Sequence, residues 1–200
     1  MIGISISILT GIFLGYFFQH EFFLTNSDSF IDLGLCLLLF FVGIDIGGNS
    51  GIFSKLKNFG NRIWFLPIST IIGSLIGGAV ASFITPLNFG QGLAVSAGLG
   101  WYSLSAIELS KISAHLGSIA FLSNVIREVL AIIFIPFIAK KIGAFESVSA
   151  AGATAMDTLL PVINKSTSSD ISIVAFFSGV ILTSTVPILV PLIVGIFQLA

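Results

Sequence analysis

The 200-residue chain is poor in charge: eight Lys/Arg and nine Asp/Glu make up 8% of it, where a soluble domain carries about 25%. That excludes an ordinary soluble domain. The net charge of −1 leaves no basic surface for nucleic acid and no polybasic lipid-binding tail. A single cysteine, Cys36, inside an apolar run, excludes an intrachain disulfide, a Cys-based zinc site and a redox pair. His20 and His115 stand alone, with no metal-ligand spacing. No Gly-x-Ser-x-Gly elbow and no Walker loop are present, so neither a serine-hydrolase site nor ATP bound to this chain is expected. The reading is a non-enzyme without cofactor or metal. The first basic residue is Lys55, so the N-terminal apolar run lacks the charged start of a secretory signal and is expected to stay as a helix.

What is present is apolar length. Hydrophobic residues form 56% of the chain, the mean hydropathy is +1.11, and a bilayer core takes about 20 apolar residues per helix. Clean spans are predicted at Ile2–Phe18, Leu33–Ile46, Ile63–Ile84, Gly117–Ala139 and Ile171–Leu199. Between them lie two segments of similar length but different character. Pro86–Ser110 holds Gly90, Gly92, Gly98 and Gly100; Ala144–Lys165 holds Gly152, Thr154, Asp157, Thr158 and Pro161. Both read as broken helices. Gly73, Gly77 and Gly78 have the spacing that lets helices pack closely.

Basic residues collect on the cytoplasmic side of membrane spans. Lys55, Lys57 and Arg62 share a side with Lys140 and Lys141 only if an even number of crossings separates them. Pro86–Ser110 should therefore dip in from outside and return, or make two short crossings. The same logic makes Ala144–Lys165 re-entrant from the cytoplasmic face, with Lys165 inside. Glu21, Asp28 and Asp32 then fall outside, and Lys111 and His115 are exceptions. The expected fold is an all-α integral membrane protein with about five transmembrane helices and two opposed re-entrant or broken segments, of the inverted-repeat secondary-transporter type. Residues 1–200 are read as one membrane domain. Irregular backbone at membrane depth survives where protein or water satisfies its polar groups, so two opposed breaks point to a transport cavity.

The polar residues that fall within these segments are the candidates for chemistry. Arg127 and Glu128 sit near the centre of a span, where a charge costs about 2.5–3.5 kcal/mol even on lenient scales. Asn124 stacks with both at i+3 and i+4, which gives a polar stripe serving either as structural glue or as a binding face. Asp157, beside Thr154 and Thr158, offers a carboxylate among freed carbonyls and hydroxyls, suited to an ammonium or a cation; the competing role is a helix N-cap. Gly98 to Ser105 supplies Tyr102, Ser103 and Ser105, followed by Glu108, while Trp101 and Tyr102 are equally suited to anchoring at the interface. Asp45 closes the second span at the cytoplasmic boundary, where a merely solvated carboxylate is the commoner case.

Four stretches carry a resemblance: Leu37-Leu-Leu-Phe-Phe-Val-Gly43-Ile-Asp45, Gly98-Leu-Gly-Trp-Tyr-Ser-Leu-Ser105, Phe121-Leu-Ser-Asn124-Val-Ile-Arg127-Glu128, and Gly152-Ala-Thr-Ala-Met-Asp157 running on to Leu160-Pro161. In their order and spacing the chain resembles the bacterial L-lysine exporter (LysO) family over essentially its whole length. The resemblance implies a multi-pass protein of a bacterial or archaeal cytoplasmic membrane that exports L-lysine, or a close basic amino acid, driven by an ion gradient. Asp157, Glu128 and Glu108 would then meet the substrate's amines, and Arg127 or hairpin N–H groups its carboxylate. Longer members begin with about three further helices that this chain lacks, so a homodimer or a separate small three-helix subunit is expected as partner. The alternatives are a monovalent cation/proton antiporter and a non-transporting structural subunit of a permease.

Overall fold

Apolar runs bounded by turn residues become helices in the computed structural model of the protein, which describes residues 2–17, 33, 37, 40, 41, 44 and 60–199. Contacts group the chain into two compact units, Met1–Gly48 and Asn49–Ala200, each described by itself. In the first, Ile2–Phe17 is helical (α1), with Phe13 and Phe17 rings 4.5 Å apart one turn from each other. Of the predicted second span, Leu33, Leu37, Phe40, Phe41 and Ile44 are described and helical, while Asp45 lies outside the described residues, as do Lys55 and Lys57.

The second unit opens with α2, Arg62–Ser82. An interrupted segment follows, α3 (Phe89–Ser96) and α4 (Tyr102–Ser110), and then α5, Ala114–Lys141. The second interrupted segment is α6 (Ala144–Ala151), a 3₁₀ turn over Gly152–Met156, and α7 (Leu160–Ser166). Last comes α8, Ser169–Ile196. Three helices among the described residues, in α2, α5 and α8, are long and apolar enough to cross a membrane. Both predicted breaks are present, and each has a local cause. Asn88 and Gln91 form a reciprocal capping box that starts α3. Leu99 and Gly100 end it with φ of +49° and +110°. The left-handed conformation costs a non-glycine residue about 1–2 kcal/mol; fully buried Leu99 is held in it by packing. Gly152, with φ +65°, ends α6.

Aromatic contacts fix the course of the helices. Trp64, at the start of α2, meets Phe177 of α8 edge-on at 5.6 Å. At the other end Phe89, opening α3, meets Phe83 just past α2 at 6.5 Å and Phe197 just past α8 at 5.8 Å. So α2 and α8 run in the same direction. Helix α3 runs back along α2, with Ser74 Oγ donating to Ser96 O at 2.8 Å near the middle of α2. Helix α4 then runs outward along the first half of α5, where Gly117 packs against Ser110 and Ala106. From the opposite end α6 begins beside the start of α2: Ala144 and Phe145 share a cleft with Phe65 and Leu66. The chain reaches mid-length at Gly152, and α7 leads to Ser168, whose hydroxyl caps α8.

The glycine stripe of α2 needs one correction. A Cβ on Gly78 would run into Gly92 and Ser96 of α3, so Gly78 does permit close packing, whereas Gly73 and Gly77 have no atom of the described residues within 4 Å of that position. Only one face of the stripe meets α3. The core where the segments meet is built from Ala94, Ala97, Leu99, Leu109, Leu116, Ala120, Ala153, Leu182 and Val186.

Candidate functional site

The two breaks touch. Ala153 N–H donates to Leu99 O at 2.9 Å, joining the second interruption to the first. Asn124 of α5 completes the first: its Oδ1 accepts from Gly100 N–H at 2.8 Å, and its Nδ2 donates to Ala120 O at 2.9 Å and Ser105 Oγ at 3.3 Å. Ser105 in turn donates to Tyr102 O at 3.2 Å. These bonds satisfy backbone that neither helix can satisfy and that lipid cannot solvate.

Arg127 and Glu128 follow one turn along α5, with side chains about 100° apart. Arg127 reaches the point just past the C-terminal ends of α3 and α6. A Cβ on Gly100 would lie 3.0 Å from its Nη1, and one on Gly152 would collide with both terminal nitrogens and with Leu99 O. Both glycines are therefore required by the guanidinium as well as by their φ angles. A cation placed against two helix C-termini opposes the partial negative charge of their free carbonyls. Nη1 is buried, with no hydrogen-bond partner among the described residues.

Glu128 points elsewhere, and its Oε1 accepts a short hydrogen bond from Thr158 Oγ1. Asp157 Oδ1 accepts from the N–H of Thr158 and lies 3.3 Å from its hydroxyl. Thr158 thus links two carboxylates from different elements. The capping role for Asp157 does not describe this geometry: the residue before α7 is Leu159, and no side chain caps that helix. Tyr102, at the start of α4, stacks edge-on with Phe121 at 5.4 Å and lies within electrostatic reach of both Glu128 and Asp157.

The remaining candidates divide. Thr154 is buried at the crossing, its hydroxyl donating to Ala151 O at 2.7 Å and its methyl facing Gly100. Ser103 is exposed on α4. Glu108 forms an ion pair with Lys111 at 2.8 Å, one turn along α4 and its end, and the structure does not bring it to the other two carboxylates. Trp101 is partly buried and packs against the core. Among the described residues no cluster of His, Cys, Asp and Glu could hold a metal. Ser69, Thr70 and Ser74 of α2, which the sequence did not single out, line a cleft with Arg127 and with Gly73, expected only as a packing glycine. Their i, i+1, i+4, i+5 spacing on an apolar span was the available signal.

A family model described as lysine exporter LysO matches residues 5–194. The chain belongs to the lysine exporter LysO family. It is 36% identical over 169 residues to the "Lysine exporter LysO" of Escherichia coli (strain K12), covering 84% of this chain and 56% of that protein. It is 32% identical over 184 residues to the "Putative lysine exporter" of Haemophilus influenzae, covering 92% of each. The chain thus spans little more than half the length of the E. coli relative. No solved structure matches it. Membership in a transporter family, together with the apolar helices, makes this a multi-pass cell-membrane protein and not an enzyme.

Proposed function

We propose that the chain exports L-lysine, or a closely related basic amino acid, as a secondary carrier driven by an ion gradient. The observation that carries this reading is the joining of Glu128 and Asp157 through Thr158 beside the crossing of the breaks. Two carboxylates held this close attract a cationic ammonium and also compete for protons, so binding one displaces the other. Alternation between the two would couple efflux of a cationic substrate to entry of protons. The names of the relatives support lysine as the substrate class.

The proposal includes two hairpins entering from opposite faces, with five crossings in all. It is supported by the return of α4 toward the end where α3 began, and of α7 toward the end where α6 began. This is the arrangement of paired repeats that meet at a midplane site. A topology reporter fused after Ser110 should read outside and one after Lys141 inside; a cytoplasmic Ser110 would overturn the hairpin reading. A second copy of the chain, or a small three-helix partner, belongs to the proposal as the supplier of the rest of the path.

The functional test is efflux of labelled lysine from loaded proteoliposomes, with any required partner present. Asp157→Asn keeps size and deletes charge, so flux should vanish while folding stays near normal, and Asp157→Glu should retain part of it. Wild-type flux in Asp157→Asn would remove Asp157 from the site. Sodium or potassium flux without lysine dependence would reassign the protein to cation/proton antiport.

A further inference from the structure

On the face of the crossing served by Arg127 rather than by Glu128, a cleft of about 320 Å³ opens between α2, α5 and α6. Its lining is Ser69, Thr70, Gly73 and Ser74 of α2, Arg127 of α5, and Ser149 and Ala150 of α6. The helices around it bury apolar residues, so a wall of this composition at mid-span is unlike its surroundings. The hydroxyl protons of α2 are already committed: Ser69 and Thr70 both donate to Leu66 O at 2.9 Å, and Ser74 donates to Ser96 O at 2.8 Å. Each oxygen keeps lone pairs with which to accept.

Arg127 supplies the opposite character. Its guanidinium lies against Gly100 and Gly152, where Nη1 is buried with no hydrogen-bond partner among the described residues, and among those residues no carboxylate lies within ion-pairing distance of it. A guanidinium at the middle of a span without a counter-ion is costly, and a carboxylate is the group that best matches its planar donor set. Helix C-termini offset the charge in part but bring carbonyls, not an anion. A fixed cation beside hydroxyl acceptors is complementary to a carboxylate next to an ammonium.

We infer that this cleft binds the head group of a free amino acid, its α-carboxylate on Arg127 and its α-ammonium on the hydroxyl oxygens of α2. The inference rests on the proposed amino-acid export and deepens it, because it puts the head group and the acidic cluster on adjacent faces of α5. It also explains why Gly73, against which no described residue packs, lines the cleft: a side chain there would occupy the space the head group needs.

The test is calorimetric binding to the full chain in lipid nanodiscs, with three probes: L-lysine, cadaverine (lysine without its carboxylate) and L-norleucine (lysine without its side-chain ammonium). Wild-type protein should bind cadaverine at least about tenfold more weakly than lysine. Gly73→Leu extends into space that no described residue fills, so it should melt like the wild type and weaken both lysine and norleucine by at least about tenfold. Equal affinity for lysine and cadaverine in the wild type would overturn the inference even if Gly73→Leu failed to fold. So would unchanged lysine binding in a folded Gly73→Leu, or failure of the wild type to bind either lysine or norleucine. Binding of norleucine but not lysine, lost in Gly73→Leu, would leave the cleft standing and remove lysine as the substrate.

Discussion

The two interrupted segments meet at one hydrogen bond, Ala153 N–H to Leu99 O, yet they are built in opposite ways. The first is closed by the protein itself. Asn124 takes up Gly100 N–H and Ser105, Leu99 is buried, and the break at 97–101 holds no ionisable side chain. The second keeps its chemistry open: a 3₁₀ turn leads to Asp157 and Thr158, and Thr158 reaches across to Glu128. One break is uncharged and bonded to Asn124, and the other carries a carboxylate joined through Thr158 to Glu128. Irregular backbone at membrane depth must be satisfied by something, and the difference is whether protein does all of it or leaves a share for a ligand.

The strongest way to break this comparison is Gly152→Ala, which attacks the hinge common to both breaks. A side chain there meets Arg127 and Leu99 O at a φ of +65°, so overpacking and backbone strain together should cost about 3 kcal/mol or more. Loss of the monodisperse species on size exclusion is the expected result. Asn124→Ala should cost less, about 2–3 kcal/mol for buried groups left unpaired. If the first break is scaffold, its thermal midpoint in detergent falls, and lysine flux drops only in proportion to folded protein. A normal midpoint with abolished flux would move Asn124 into the binding machinery.

Thr158→Val sharpens the other side. It removes the hydroxyl that Glu128 accepts from and leaves folding largely intact, so flux should fall about tenfold at a near-normal thermal midpoint, with recovery in Thr158→Ser. Equal flux in Thr158→Val and wild type would separate the two carboxylates functionally. The smallest effect is expected for Glu108→Gln. Its partner Lys111 is largely exposed, and an i, i+3 pair of this kind contributes about 0.2–0.5 kcal/mol. Flux measured in that variant should match the wild type; a large loss would return Glu108 to the site.

Glycine clusters, a proline and a scarcity of long apolar runs marked both breaks correctly, because glycine costs a helix about 1 kcal/mol relative to alanine and readily takes the positive φ seen at Gly100 and Gly152. The Asn124, Arg127 and Glu128 stripe was legible for a related reason: polar side chains three and four apart share a helix face, and their cost in a span demands a partner. Which partner was not legible. Glu108 and Glu128 are alike in sequence, each a single acid within an otherwise apolar stretch, yet Lys111 satisfies one within a turn and Thr158 joins the other from thirty residues away.

By itself the sequence determined that the chain lies in a membrane, that its long helices alternate with two broken ones, and that few side chains are available for chemistry. Those conclusions follow from local quantities: apolar run length, the φ freedom of glycine, and the cost of each charge in lipid. Only the tertiary structure decided that the two breaks meet, that Arg127 lines a cleft with α2 and α6 while Glu128 pairs with Thr158, and that Gly78 packs against α3 while no described residue packs against Gly73. These depend on how α2, α3 and α6 lie against α5. Contacts between segments far apart in sequence are set by the packing of the whole unit, and no helical period or motif spacing encodes them on its own.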